Sequence, residues 1–232
     1  MIGVGCMVRA GCGDARCVMV AACEFDELAF RSILRKDDTV VAVDGGFASL
    51  ESCGVVPSMA IGDFDSLGFV PPIDGILRYP CEKDASDLEL ALDWAIGEGF
   101  GEIAVFGALG GRLDQTMATI QTLYGVSLRG VKVFAVGADC CVAIVTGGLP
   151  GDCAAGVLEL PAGLSGTVSV FSLCDVSSGV GESGLAYGLE DAELTNDCSL
   201  GLSNEFTGAP SRISVKRGSL AVFLPKSAAP YL

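Results

Sequence analysis

The 232-residue sequence contains no histidine. That excludes Ser-His-Asp and Cys-His catalysis, histidine-ligated zinc and any imidazole general base. Chemistry here must rest on carboxylates, Lys, Arg, Tyr, Ser, Cys or a metal. No run of about 18 uncharged apolar residues occurs either, the length a membrane span needs. The start of the chain lacks the basic opening and unbroken apolar stretch of a secretion signal, because Gly3, Gly5, Arg9, Gly11, Gly13 and Asp14 interrupt it. A cytoplasmic protein with no membrane partner is expected.

Basic residues are scarce, 14 against 29 acidic ones, for a net charge of −15. Nucleic-acid binding needs a basic face, so it is not expected. An acidic chain still binds nucleotides where a divalent cation stands between carboxylates and phosphates. The 11 cysteines include no Cys-x-x-Cys pair. Without an export signal they read as reduced, buried thiols acting as small hydrophobes.

Half of the residues are hydrophobic, enough for a substantial core. From residue 17 to about 136, short apolar runs alternate with helical stretches. Cys17–Ala22, Val40–Val43, Ser58–Ile61, Ile103–Phe106 and Val131–Val136 read as strands. Phe25–Arg35, the stretch through Ser52, Asp84–Glu98 and Leu113–Tyr124 read as helices, and Leu88, Ala91, Leu92 and Ala95 form one apolar face. Such alternation predicts a largely parallel, Rossmann-like α/β sheet covered on both faces. Beyond about residue 140, β-rich runs at Val142–Thr146, Val157–Leu160, Thr167–Ser172, Arg212–Lys216 and Ser219–Leu224 are separated by Gly, Pro, Asn and Asp. They predict an all-β sandwich or barrel. The expected organisation is an N-terminal extension over 1–16, an α/β domain over 17–147 and a β domain over 148–232.

Three acidic clusters fall at predicted strand ends or helix starts: Asp44 in Val-Asp-Gly-Gly, Asp63 and Asp65 in Gly-Asp-Phe-Asp-Ser, and Asp84 and Asp87 in Lys-Asp-Ala-Ser-Asp. Ligands of open α/β sheets bind beyond the carboxyl ends of the strands. Carboxylates converging there repel one another unless a hard cation such as Mg²⁺ neutralises them. Each cluster also has a structural reading. Asp44-Gly-Gly fits a turn, Asp84 fits a helix cap, and Ser86 with Glu89 fits a capping box equally well. A glycine turn with Gly110, Gly111 and Arg112 leads into the helix bearing Asp114 and Gln115. Its backbone N–H groups suit phosphate, and Arg112 suits a phosphate oxygen. No Gly-Lys pair exists, so this is no Walker A loop. Gly179–Gly184 matches G-x-G-x-x-G by letter, but no helix signal follows it.

Taken in order, Asp44-Gly-Gly, Gly62-Asp-Phe-Asp-Ser66, Lys83-Asp-x-Ser-Asp87, Gly110-Gly-Arg-x-Asp-Gln115 and Leu202-Ser-Asn-Glu-Phe206 resemble the thiamine pyrophosphokinase family. The resemblance runs from about residue 17 to 225. It implies an ATP-dependent, Mg²⁺-assisted pyrophosphoryl transfer to the hydroxyl of thiamine, in a homodimer with active sites between subunits. It implies Asp63, Asp65 and Asp87 as metal ligands. Asp44, Lys83, Asp84, Gly110, Gly111 and Arg112 fall on the nucleotide side. Asp87, Asp114, Gln115, Tyr187, Ser203 and Asn204 fall on the thiamine side, the last two supplied by the partner subunit. Asp63, Asp65, Asp87, Arg112 and Asp114 are the implied catalytic set. Where many bacterial relatives carry His, this chain has Gln115, which implies a hydrogen-bond donor there rather than an acid. Two alternatives stay open: a pyrophosphokinase for another hydroxymethyl heterocycle, and a non-catalytic thiamine sensor.

Overall fold

The computed structural model describes residues 13–149 and 156–232. Residues 1–12, most of the expected N-terminal extension, and 150–155 lie outside the described residues. The first half runs β1 (Gly13–Val20), α1 (Glu27–Ile33), β2 (Thr39–Val43), α2 (Gly46–Ser52), β3 (Met59–Gly62), β4 (Ile76–Arg78), α3 (Asp87–Gly97), β5 (Phe100–Phe106), α4 (Leu113–Ser127) and β6 (Lys132–Val136). The second half is β7 (Cys140–Gly147), β8 (Gly156–Leu160), β9 (Thr167–Ser172), β10 (Val176–Ser183), β11 (Leu189–Thr195), β12 (Asn204–Glu205), β13 (Ser211–Val215) and β14 (Gly218–Pro225). A short 3-10 helix, Lys226–Tyr231, follows.

Ten strands form one sheet in the order β12-β9-β14-β7-β6-β5-β1-β2-β3-β4. Strands β1 to β6 pair in parallel, whereas β7, β14, β9 and β12 extend the sheet antiparallel. Strand β1 is fully buried from Cys17 to Val20, and its residues alternate between two cores. Val18 and Val20 face Phe30 and Ile33 of α1 and Phe47 and Leu50 of α2. Cys17 and Met19 face Ala91, Leu92 and Ala95 of α3 and Ile120 and Leu123 of α4. Helices on both faces explain why these strands read as continuous apolar runs. The chain order reverses at β1, with β2 on one side and β5 on the other, which makes a topological switch point.

The remaining strands form an antiparallel sheet, β11-β10-β13-β8. It packs on the same face as α1 and α2, joining Leu158, Val180, Leu194 and Ile213 to Val168, Val170, Leu220 and Val222 of the large sheet. The expected parallel α/β layer and antiparallel β layers are both present.

Local differences have physical causes. Helix α3 begins at Asp87 rather than Asp84, because the Ser86 side chain accepts from the Glu89 N–H at 3.2 Å and caps it. Strands β4, β10, β11 and β12 gave no sequence signal. Two are very short, β10 (VSSGVGES) is rich in Ser and Gly, and β11 (LEDAELT) is acidic. Gly179 to Ser183 lie on β10 and Gly184 follows directly after it, as the missing helix signal implied. All eight described cysteines are free thiols; Cys17 and Cys141 are buried, but Cys81 and Cys198 are exposed. No described helix is long and apolar enough to cross a membrane.

Candidate active site

The loops after β2 and β3 are tied together by one carboxylate. Asp44 Oδ1 accepts the Phe64 N–H at 3.1 Å, and Oδ2 accepts the Ser66 hydroxyl at 2.8 Å. Both Asp44 (φ 46°) and Phe64 (φ 62°) adopt left-handed backbone, which costs energy in non-glycine residues and clusters at functional sites. This turn aims Asp63 inward. Its Oδ1 accepts the Asp65 N–H at 3.2 Å, and its Oδ2 accepts from Lys83 Nζ at 2.7 Å.

Lys83 reaches back from the loop before α3, where Pro80 C=O also accepts from it at 3.2 Å. Its ammonium lies 3.1 Å from Asp87 Oδ1, an ion-pair distance without hydrogen-bond geometry, so that buried oxygen has no hydrogen-bond partner. Lys83 first, then the Asp65 N–H, holds the Asp63 carboxyl below the usual carboxylate range. Burial pushes Asp87 the other way, aided by the charges of Asp63 and Asp44 and opposed by Lys83. Burial works against the Lys83 charge, but Asp63 and Asp87 outweigh it and raise its affinity for the proton.

Asp44, Asp63 and Asp87 each offer an oxygen within 4.8 Å of the others. The structure thus brings together one residue from each acidic cluster. Asp65 instead groups with Asp63 and the Cys81 thiol, within the same 4.8 Å span. Asp84 is exposed and lies outside both groups. The all-oxygen first group, with one carboxylate oxygen free of hydrogen bonds, suits a hard cation of the Mg²⁺ class.

The second element of the site lies at the switch point. The loops after β1 and β5 are joined by Ala21 N–H to Phe106 C=O and Cys23 N–H to Gly107 C=O, both at 2.8 Å. A Cβ on Gly107 would stand 2.3 Å from the Ala21 carbonyl oxygen, so only glycine permits this approach. Gly110 and Gly111 follow with φ of 96° and 65°. Thr116 Oγ1 accepts the Gly110 N–H at 3.1 Å. At the start of α4, Arg112 grips both oxygens of Asp114 in an exposed pair. Arg112 lowers the Asp114 pKa. Gln115 Oε1 accepts from Cys23 Sγ at 3.7 Å.

The sequence-predicted residues of the β half lie together on a different edge. Ser203 has φ 60°, and its N–H donates to Ser169 Oγ at 3.1 Å. Asn204 is buried, and its amide holds the backbone of Tyr187, a residue that is 71% exposed. Sequence reading missed Cys81, which groups with Asp63 and Asp65, and Thr116, which holds the Gly110 turn.

Residues 30–135 match the family model described as the catalytic domain of thiamin pyrophosphokinase, and residues 158–220 that of its vitamin B1 binding domain. Together the two segments cover most of the chain. A curated thiamine pyrophosphokinase of Bacillus subtilis (strain 168) is 39% identical over 98 residues. That alignment takes in 40% of this chain and 44% of the relative, so it spans less than half of the relative's length. The solved thiamine pyrophosphokinase of Bacillus subtilis is 23% identical, with a TM-score of 0.78 over 90% of this chain and 98% of that one. The thiamin pyrophosphokinase of Geobacillus thermodenitrificans is 24% identical, with a TM-score of 0.72 over 90% and 97%. At such identities these structures establish the shared fold. With both of the family's domain models matched in order along one chain, the protein belongs to the thiamin pyrophosphokinase family.

Proposed function

We propose that this chain is a thiamine pyrophosphokinase, moving the pyrophosphoryl group of ATP onto the hydroxyl of thiamine and releasing AMP. The observation that carries the reading is the convergence of Asp44, Asp63 and Asp87 around Lys83, within the segment that matches the catalytic-domain model. The strand order around β1 supports a Rossmann-like reading of this half, with the nucleotide at the switch point.

The thiamine oxygen attacks the β-phosphorus in line; the new O–P bond forms as the bond to the AMP oxygen breaks. Such transfers depend on positioning and charge neutralisation more than on covalent chemistry. Asp63, Asp65 and Asp87 would hold Mg²⁺, with Asp44 added by its proximity to Asp63 and Asp87. When bound there, the cation supplies charge neutralisation for the phosphates. Lys83, Asp84, Gly110 and Gly111 serve the nucleotide, and Arg112 clamps a phosphate oxygen. The hydroxyl proton leaves late, to Asp114 or Asp87. Arg112 already occupies both oxygens of Asp114, which favours Asp87.

Thiamine lies between Asp87, Asp114 and Gln115 of one protomer and Tyr187 and Ser203 of another, in a cytoplasmic homodimer, with the buried Asn204 acting from behind through the Tyr187 backbone. The exposed Tyr187 ring offers a stacking face to a cationic heterocycle. The test is AMP release from ATP and Mg²⁺ with and without thiamine, with thiamine diphosphate followed by chromatography. Equal amounts of both products, only when thiamine is present, support the reading. Folded protein that releases no AMP overturns it.

A further inference from the structure

Among the described residues, the β half buries a carboxyl group that the site above does not use. Glu182 sits on β10, facing inward beside Val180, and is 2% exposed. Its Oε2 accepts from Asn204 Nδ2 at 2.8 Å, and its Oε1 has no hydrogen-bond partner. Strand β10 belongs to the four-stranded sheet and β12, which carries Asn204, to the ten-stranded one, so this bond crosses the sandwich.

Asn204 is 5% exposed, and its amide is saturated. Nδ2 donates to Glu182 and to the Tyr187 C=O at 2.6 Å; Oδ1 accepts the N–H groups of Tyr187 and Glu205, both at 2.9 Å. A primary amide has two donor hydrogens and two acceptor lone pairs, and all four are in use. Flipping the amide would set its NH₂ against two N–H donors and its oxygen against a carbonyl and a carboxyl oxygen. Asn204 therefore has one orientation, and in it the N–H and C=O of Tyr187 are both clamped while the ring projects outward.

We infer that Glu182 is a positioning residue for thiamine: by holding the second N–H of Asn204 from across the sandwich, it fixes the amide that sets the Tyr187 ring. The inference rests on the reading that Tyr187 faces thiamine. Burial of Glu182 and the saturated amide, neither of which a merely filled core position would need, both support it.

The test compares Glu182→Met, which fills the space without an acceptor, with Glu182→Gln, which keeps one. In Glu182→Met the KM for thiamine should rise about tenfold, the order expected when a buried donor loses its partner, with the KM for ATP within about twofold of wild type. Glu182→Gln should restore most of the thiamine KM. Combined with Tyr187→Ala, Glu182→Met should add little to the thiamine KM, because it acts through that ring. Should Glu182→Met fail to fold, Glu182→Asp, which withdraws the carboxyl by one methylene, should raise the thiamine KM alone. A lowered melting temperature with unchanged thiamine KM, equal rises in both KM values, or additivity with Tyr187→Ala would overturn the inference. Wild-type protein without thiamine-dependent AMP release would instead sink the function itself, so the two failures are distinguishable.

Discussion

Lys83 holds its ammonium 2.7 Å from Asp63 and 3.1 Å from Asp87, so one fixed cation bridges two of the three carboxylates in the cluster. Replacing it by Met leaves Asp44, Asp63 and Asp87 facing one another without that charge. Turnover in Lys83→Met should fall by about 100-fold or more, the scale seen when a preorganised electrostatic contact is lost. The same variant should gain more melting temperature from added Mg²⁺ than wild type does, since bound cation now relieves repulsion that Lys83 relieved before. Equal Mg²⁺-induced shifts in a thermal scan would contradict the account.

Aspartates of two different acidic clusters should behave differently. Asp65 is exposed, so Asp65→Ala should leave the melting temperature near wild type while turnover drops by orders of magnitude. Asp44 ties two loops through Phe64 and Ser66. Asp44→Ala should therefore lose turnover and also about 1–3 kcal/mol of stability, from two severed hydrogen bonds. Denaturant unfolding of both variants separates the two outcomes.

Glycines supply a contrast between close approach and open space. A Cβ on Gly46, at the start of α2, would stand 1.8 Å from the Val20 carbonyl oxygen. Gly46→Ala should cost about 3 kcal/mol or more, because backbone would have to move in a packed core. Gly125, on the exposed side of α4, has nothing within 4 Å of its Cβ position. Gly125→Ala should stabilise by about 0.5–1 kcal/mol through helix propensity. Matched unfolding curves read both signs.

The pH dependence of stability should carry the signature of Glu182. Burial pushes its carboxyl above the ordinary 4.5, with the Asn204 hydrogen bond opposing. The folded state therefore holds the proton more tightly than the unfolded chain. Its contribution is full below 4.5 and is lost as pH rises through the folded value. Glu182→Gln cannot lose it. The melting temperature of the variant relative to wild type should climb above that pH and then level off. A difference that stays constant from about pH 4 to about pH 8 would reject this.

Much of the fold was legible before any coordinates. Strands β1, β2, β3, β5 and β6 announced themselves as apolar runs because both faces of the parallel sheet are covered. The acidic clusters and the glycine turn were legible because each stands at a strand end or helix start, where backbone and side chain together give a local pattern. Strands β10 and β11 were illegible because their Ser, Gly and acidic residues lack β propensity; they are held by pairing with each other and, for β10, with the more distant β13.

The sequence by itself determined the chemistry available: no imidazole, three acidic clusters, a lysine within one of them and an arginine beside a glycine turn. It also determined the order of motifs that marks the family. Only the tertiary structure decided which carboxylates meet. Asp44, Asp63 and Asp87 come from three separate segments, and the spacing of strands across a sheet is not written in any one of them. The same holds for Glu182 and Asn204, 22 residues apart and on different sheets. A buried polar pair across a sandwich is a product of packing, and packing is settled by the whole chain at once.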